Sequence, residues 1–111
     1  MTFCFDVDNT ICVSKHGCNY SSCPPIQPVI DKLNELYDKG HKIILFTSRN
    51  MLSFNGDIEK IHQVTKPILE KWLEKHGVKY HELIFGKVLA DVYVDDKAMT
   101  PAELLFGGHK F

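Results

Sequence analysis

Asp6 and Asp8 stand two residues apart in the stretch TFCFDVDNTIC, directly after the apolar run Phe3-Cys4-Phe5. A second acidic pair, Asp95 and Asp96, follows the apolar run Val92-Tyr93-Val94. Thr47, Ser48 and Arg49 follow the run KIILF at 42–46, and Lys87 comes just after ELIF at 82–85 and Gly86. Taken singly, each has a plain reading as a turn residue, a helix cap or a solvated lysine. Taken together they place carboxylates, hydroxyls and cations at the ends of successive apolar runs. Carboxylates converging in one cleft repel one another and raise their own pKa values, a penalty that a bound cation removes. Donors made only of oxygen suit Mg²⁺ rather than zinc. Thr47 can donate from its hydroxyl and its backbone N–H at the entry to the next helical segment, Ser48 adds a second hydroxyl, and Lys87 supplies a positive charge. These are the parts phosphoryl transfer needs: charge neutralised, oxygens held in line, and a carboxylate able to form an aspartyl phosphate.

The pattern around these residues indicates what positions them. Residues 2–5 read as a short buried strand. The stretch ICVSKHGCNYSSCPP at 11–25 has little period and reads as a long loop, of the kind that is often functional. Ile26, Val29, Ile30, Leu33, Leu36 and Tyr37 recur at helical spacing, with Pro28 tolerable in the first turn and Gly40 marking the end. KIILF is a second strand. Ile58, Ile61, Ile68, Leu69, Trp72 and Leu73 outline a second helical stretch that ends at Gly77, and Pro67 predicts a kink or a split into two shorter helices. ELIF and VYV read as third and fourth strands. Thr100, Pro101 and Glu103 form a capping-box start for a last helix. Strands alternating with helices predict an α/β fold: a three-layer Rossmannoid sandwich, mostly parallel, with helices on both faces. The candidate residues then gather where such sheets bind ligands, beyond the carboxyl ends of the strands.

The motifs in their order resemble the haloacid dehalogenase superfamily of phosphatases. FDVDNT is similar to the family's first motif, IILFTS to the second, Lys87 in FGK to the third-motif lysine, and VYVDD to the fourth. The resemblance implies that Asp6 is the nucleophile and Asp8 the general acid/base. Thr47, Ser48 and Lys87 would hold the phosphoryl group. Asp6, Asp8 through its backbone carbonyl, Asp95 and Asp96 would hold Mg²⁺, Asp96 directly or at one remove. An acid at position 8 belongs to members that cleave phosphate esters, because an alkoxide leaving group needs a proton. Asn9 stands where the family commonly has Gly, and Asn tolerates unusual backbone angles. Val88 replaces a common Pro after the lysine. Lys66 is a rival for the lysine role, less well placed because it falls within a helical pattern.

Neither interval that can carry a cap domain in larger members is long enough here. The chain is expected to be one domain over 1–111, with the loop 11–25 as a small flap and the site open or covered by a homo-oligomer. LFTSRNM, KWLEKHGV and YVDDKAMTPAEL look closest to short capless phosphatases of capsular polysaccharide biosynthesis, which implies a phosphorylated sugar, polyol or similar precursor. Arg49 and Asn50 are substrate-contact candidates, although Arg49 could equally pair with a structural carboxylate. Rival readings are a phosphatase of nucleic-acid ends or phosphoproteins, a phosphotransferase, and a non-catalytic binding module on the same fold.

Bulk properties narrow the rest. The chain has 111 residues, 44% of them hydrophobic, and a net charge of −1, so no basic field recommends a nucleic-acid partner. No apolar stretch approaches a membrane span, and no signal-peptide pattern precedes Asp6; the expectation is a cytoplasmic protein acting on a small phosphorylated metabolite, away from membranes. Of the four cysteines, Cys4 sits in an apolar run. Cys12, Cys18 and Cys23, with His16 among them, lack the paired spacing of zinc knuckles and read either as reduced thiols or as a metal cluster.

Overall fold

The structure is a computed structural model that describes residues 1–14 and 20–111. Aromatic and β-branched residues build three short strands, β1 (Thr2–Phe5), β2 (Lys42–Thr47) and β3 (Glu82–Phe85). They form one parallel sheet in the order β1-β2-β3, with Phe3 beside Ile43, Phe5 beside Leu45 and Thr47 beside Phe85. Helix α1 (Gln27–Asp38) connects the first two strands and α2 (Ile58–Lys75) the second two. The expected α/β architecture, a parallel sheet dressed by helices, is what the chain forms, and no cap domain occurs among the described residues.

Both long helices stop by the same device. After α1, Gly40 takes φ +91°, its N–H donates to the Tyr37 carbonyl and the His41 N–H to the Leu36 carbonyl. After α2, Gly77 takes φ +64°, with its N–H on Glu74 and the Val78 N–H on Leu73. A residue in the left-handed region lets the chain turn back and satisfy the last carbonyls, and Gly adopts it without a Cβ clash. Each stop returns the chain to the start of the next strand. Pro67 does not split α2, which runs as one helix of 18 residues with the proline inside it.

Two successive right-handed crossovers in this strand order put α1 and α2 on the same face of the sheet. That face holds the core: Phe5, Ile43, Leu45 and Phe85 from the strands, Val29, Ile30, Leu33 and Leu36 from α1, and Ile61, Leu69, Trp72 and Leu73 from α2, all buried. Each such side chain stabilises the fold by about 1.5–3 kcal/mol through the apolar surface it withdraws from water. Side chains alternate along a strand, so the opposite face carries Cys4, Ile44, Phe46 and Ile84. Among the described residues no helix covers that face, because the last helix, α3 (Pro101–Phe106), packs on α1, so the expected second helical layer is not formed: Cys4 and Ile84 are exposed, Ile44 and Phe46 half-buried.

One expected strand is missing. Val92-Tyr93-Val94 joins no ladder, and every residue from 88 to 100 is exposed. The short helix α3 (Pro101–Phe106) follows, with the expected capping box between Thr100 and Glu103, and packs against α1. The physical reason for the loss is the connection. A parallel neighbour must start at the far end of the sheet and needs a crossover of about a dozen residues or more. Between Phe85 and Val92 the chain has only 86–91.

Candidate active site

β1 delivers the first acidic pair. Beyond Phe5 the chain coils tightly: the Val7 carbonyl accepts from the N–H groups of Thr10 and Ile11, and Asn9 sits at φ +61°, the left-handed position that its short polar side chain tolerates. The Asn9 carboxamide oxygen accepts the Ser14 N–H at 3.0 Å, which fixes the turn. Val7 is fully buried, so Asp6 and Asp8 project away from the core on either side of it.

Each aspartate meets its own cation. Lys87 Nζ lies 3.3 Å from Asp6 Oδ1. Gly86 at φ +94° turns the chain there, and the Lys87 N–H donates to the Thr47 carbonyl at 3.1 Å, which fastens the lysine to the end of β2. Its ammonium also rests over the Tyr93 ring, 4.3 Å from the centroid. Thr10 adds its hydroxyl to Asp6 Oδ2 at 3.4 Å. Lys66, the rival lysine, lies within α2, whereas Lys87 reaches Asp6. On the other side Arg49 grips Asp8 with two bonds, Nη2 to Oδ1 at 2.6 Å and Nε to Oδ2 at 3.2 Å. The guanidinium is almost wholly buried, with 1% of its side chain exposed against 23% for Asp8, and it stacks on Tyr20, 4.1 Å from the ring centroid. Burial alone would weaken the hold of Arg49 on its proton, but the hydrogen bonds and charge of Asp8 outweigh that and leave its pKa raised. Its Nη1 is buried with no acceptor among the described residues.

The remaining candidates fall into three groups. Thr47 and Asn50 are largely committed to the local backbone and its neighbours. Thr47 is 1% exposed and its hydroxyl accepts the Arg49 N–H at 3.0 Å; Asn50 donates to Ser53 and accepts from the Thr65 hydroxyl on α2. Ser48, Arg49 and Asn50 line a shallow cleft of about 410 Å³ together with Asp8, Tyr20 and Leu89, a volume within the range of small-ligand sites. Asp95 and Asp96 are exposed on the segment after β3, where the Asp95 carboxylate accepts the Lys97 N–H at 2.8 Å, a bond that holds its pKa below the ordinary range.

The four aspartates therefore do not converge within one chain, and no group of three or more His, Cys, Asp or Glu able to hold a metal occurs among the described residues. The donors described do not fit the expected Mg²⁺ ion in a single chain: Asp6 and Asp8 are each neutralised by a side-chain cation, and no third carboxylate among the described residues joins them in a metal-binding group. The cysteine–histidine expectation lies partly on His16 and Cys18, outside the described residues. Cys12 and Cys23 are buried in the core. Burial, then the Asp8 charge, pushes the Cys12 thiol up to about 12, so it is a neutral donor, in contact with Asp8 Oδ1 at 3.5 Å, and not a thiolate ligand. The loop 11–25 is tied down at both ends. The Val13 N–H bonds to Pro24, the Ile26 N–H to Ile11, and Trp72 Nε1 donates to the Cys23 carbonyl at 2.7 Å.

Tyr20, Thr10 and Leu89 are the contributors that motif spacing did not single out. Thr10, four residues after Asp6, was within reach of such a reading; Tyr20 and Leu89 meet the cleft only through the fold.

No family model matches the chain. A crystal structure from Vibrio cholerae matches it at a TM-score of 0.87 and 33% identity, over 95% of this chain and 87% of that one. The structure of the Pnkp1/Rnl/Hen1 complex matches over 95% of this chain and 33% of that chain, at a TM-score of 0.57 and 19% identity, a likeness of fold alone. A curated Chlorobaculum tepidum protein, provisionally named a 5'(3')-deoxyribonucleotidase, is 29% identical over 89 residues. The match takes in 77% of this chain and 41% of the relative's length, so the chain spans well under half of that protein. Among the described residues no helix is long and apolar enough to cross a membrane. The chain belongs to one family with the Vibrio cholerae protein.

Proposed function

We propose that the protein is a phosphomonoesterase in which Asp6 is the nucleophile. The observation that carries this is the pairing of Asp6 with Lys87 beside an independently held Asp8, at the carboxyl end of a parallel sheet. Asp6 is one-third exposed, so a phosphate can reach it. The Asp6 carboxylate attacks phosphorus, the ester oxygen leaves with a proton from Asp8, and water then releases phosphate from the aspartyl phosphate. Lys87 neutralises charge on the transferring group. Arg49 is a positioning residue that fixes the orientation of Asp8, and Asp8 must loosen one of its two bonds to Arg49 when it donates. The cleft volume favours a small phosphorylated metabolite. The nucleotidase relative favours a nucleoside monophosphate, and the sugar or polyol phosphate of a capsule precursor rests on sequence wording alone.

Purified protein assayed with Mg²⁺ is expected to release phosphate from an aryl phosphate, and Asp6→Asn to abolish that release. Full activity in Asp6→Asn would overturn the assignment. A panel of nucleoside monophosphates, sugar phosphates, polyol phosphates and 5'-phosphorylated oligonucleotides, ranked by kcat/KM, decides the substrate class. Nucleoside monophosphates are expected first.

A further inference from the structure

Three features of the chain are incomplete in the same place. Among the described residues β1 is an edge strand with no neighbour on its outer side. The sheet face bearing Cys4, Ile44, Phe46 and Ile84 has no helix over it among the described residues, although all-parallel sheets are covered on both faces almost without exception. Residues 88–100 are exposed throughout, with Val92 74% and Val94 94% accessible, and Phe106 beyond them 82%. The exposed run V-Y-V-D repeats the pattern of F-C-F-D in β1: an apolar triplet, then Asp.

The chain cannot repair this by itself. To lie parallel to β1 on its free edge, Val92 would have to start about 14 Å sideways from β3 and about 13 Å back along the sheet. That is roughly 19 Å in a straight line through the sheet, and more around it. Residues 86–91 span about 20–22 Å fully extended, and the bond from the Lys87 N–H to the Thr47 carbonyl pins the start, leaving only 88–91 for the journey.

We propose that two copies exchange their 88–100 segments, while α3 of each stays on its own α1. Val92-Tyr93-Val94 of each copy adds in parallel to the free edge of β1 in the other. Val92 then lies beside Phe3, Tyr93, released from Lys87 of its own chain, beside Cys4 and Val94 beside Phe5, which brings the second copy's Asp95 and Asp96 next to Asp6. The exchange is reciprocal about a two-fold axis, so each free β1 edge is used once. Segment exchange is the expected resort of a chain whose hinge is too short for closure. The Vibrio cholerae match covers 95% of the chain, too much to leave out the whole of 88–100, so the relative shares part of this segment. The exchange stands independently of the phosphatase reading; only its consequence, a Mg²⁺ site made of Asp6 from one copy and Asp95 and Asp96 from the other, rests on it.

Light scattering on the purified chain is expected to give twice the 12.7 kDa of one copy; a monomer throughout the micromolar range overturns the exchange. Inserting about twelve Gly/Ser residues between Ala90 and Asp91 supplies a crossover of sufficient length and is expected to yield a monomer; a dimer that persists overturns the hinge argument. Tyr93→Cys treated with a short bis-maleimide is expected to give a covalent dimer that Cys4→Ser abolishes; a dimer that forms equally without Cys4 rules out this register. Chains carrying Asp6→Asn and Asp95→Asn, each inactive alone, are expected on co-refolding to recover about a quarter of wild-type activity, because half the dimers are mixed and each has one intact site. A dimer that cross-links but never hydrolyses phosphate esters retires the phosphatase and keeps the exchange. An active monomer does the reverse.

Discussion

Deleting either partner of the Asp8–Arg49 pair removes the same two hydrogen bonds, yet the two losses should differ. Asp8→Ala strands a guanidinium whose side chain is 1% exposed, with the Tyr20 ring as its main remaining partner. Removing one member of a buried pair costs about 3–5 kcal/mol, and the accessible side of this pair argues for about 3 kcal/mol. Arg49→Met keeps the apolar stem, and the carboxylate left behind is already 23% exposed and keeps the Cys12 thiol. Water can replace the guanidinium, so the loss should be about 1 kcal/mol. At roughly 4 °C per kcal/mol for a domain of this size, Asp8→Ala should melt about 12 °C below wild type and Arg49→Met about 4 °C below. The double variant should be more stable than Asp8→Ala alone, because no charge is then stranded. Urea unfolding followed by far-ultraviolet circular dichroism, at one fixed protein concentration, measures all three. If Arg49→Met proved as damaging as Asp8→Ala, the burial asymmetry would not govern the pair and the reasoning would fail.

Three further outcomes follow from particular residues. Gly86→Ala places a Cβ 2.9 Å from Ile58 Cδ1 at φ +94°; it should cost more than about 1 kcal/mol and, by moving Lys87, lower kcat/KM about tenfold or more. A wild-type kcat/KM would show that the turn does not position the lysine. Cys12 gives a pH dependence: its thiol keeps its proton to about 12 when folded against an ordinary 9.0. Between these values the unfolded chain binds fewer protons, so stability is fully present below pH 9 and falls by about 1.4 kcal/mol per pH unit above it. Cys12→Ala should flatten that slope in alkaline urea titrations. Pro67, inside α2 and exposed, denies the Gln63 carbonyl its helical donor, so Pro67→Ala should raise stability by about 2 kcal/mol. No gain in the urea midpoint would mean the helix has already adapted to the proline.

Local features were readable where local chemistry decides them. FCF, KIILF and ELIF are apolar, short and bounded by turn residues, and all three are strands. Gly40 and Gly77 marked true helix ends, Asn9 takes the left-handed angle that its place in FDVDNT called for, and Thr100 with Glu103 forms the cap that their spacing foretold. Features that depend on distance along the chain were harder. VYV has the composition of a strand, but composition does not reveal that the preceding connection is too short to reach a place in the same sheet. Arg49 could have served a substrate or a carboxylate; its bond to Asp8 joins residues 41 apart, which no local pattern encodes. Thr47 was read as a donor to phosphate, and its hydroxyl also accepts the Arg49 N–H, a contact set by the backbone after β2 that no local pattern announces. Pro67 lowers helix propensity locally, and the packing of Ile61, Leu69, Trp72 and Leu73 on one face carries the helix through it.

The bond between the Trp72 indole and the Cys23 carbonyl has a practical side. Trp72 is the single tryptophan of the chain, so its emission reports one location, the junction between the helix and the far end of the loop that supplies Tyr20. The indole is 2% exposed and its N–H is held by a loop carbonyl, as a buried indole requires. Any movement that lifts this loop must break that bond and admit water to the ring, shifting the emission to the red. The protein thus carries its own unlabelled optical gauge, and a stopped-flow trace with a candidate ligand would time the loop's response separately from any turnover.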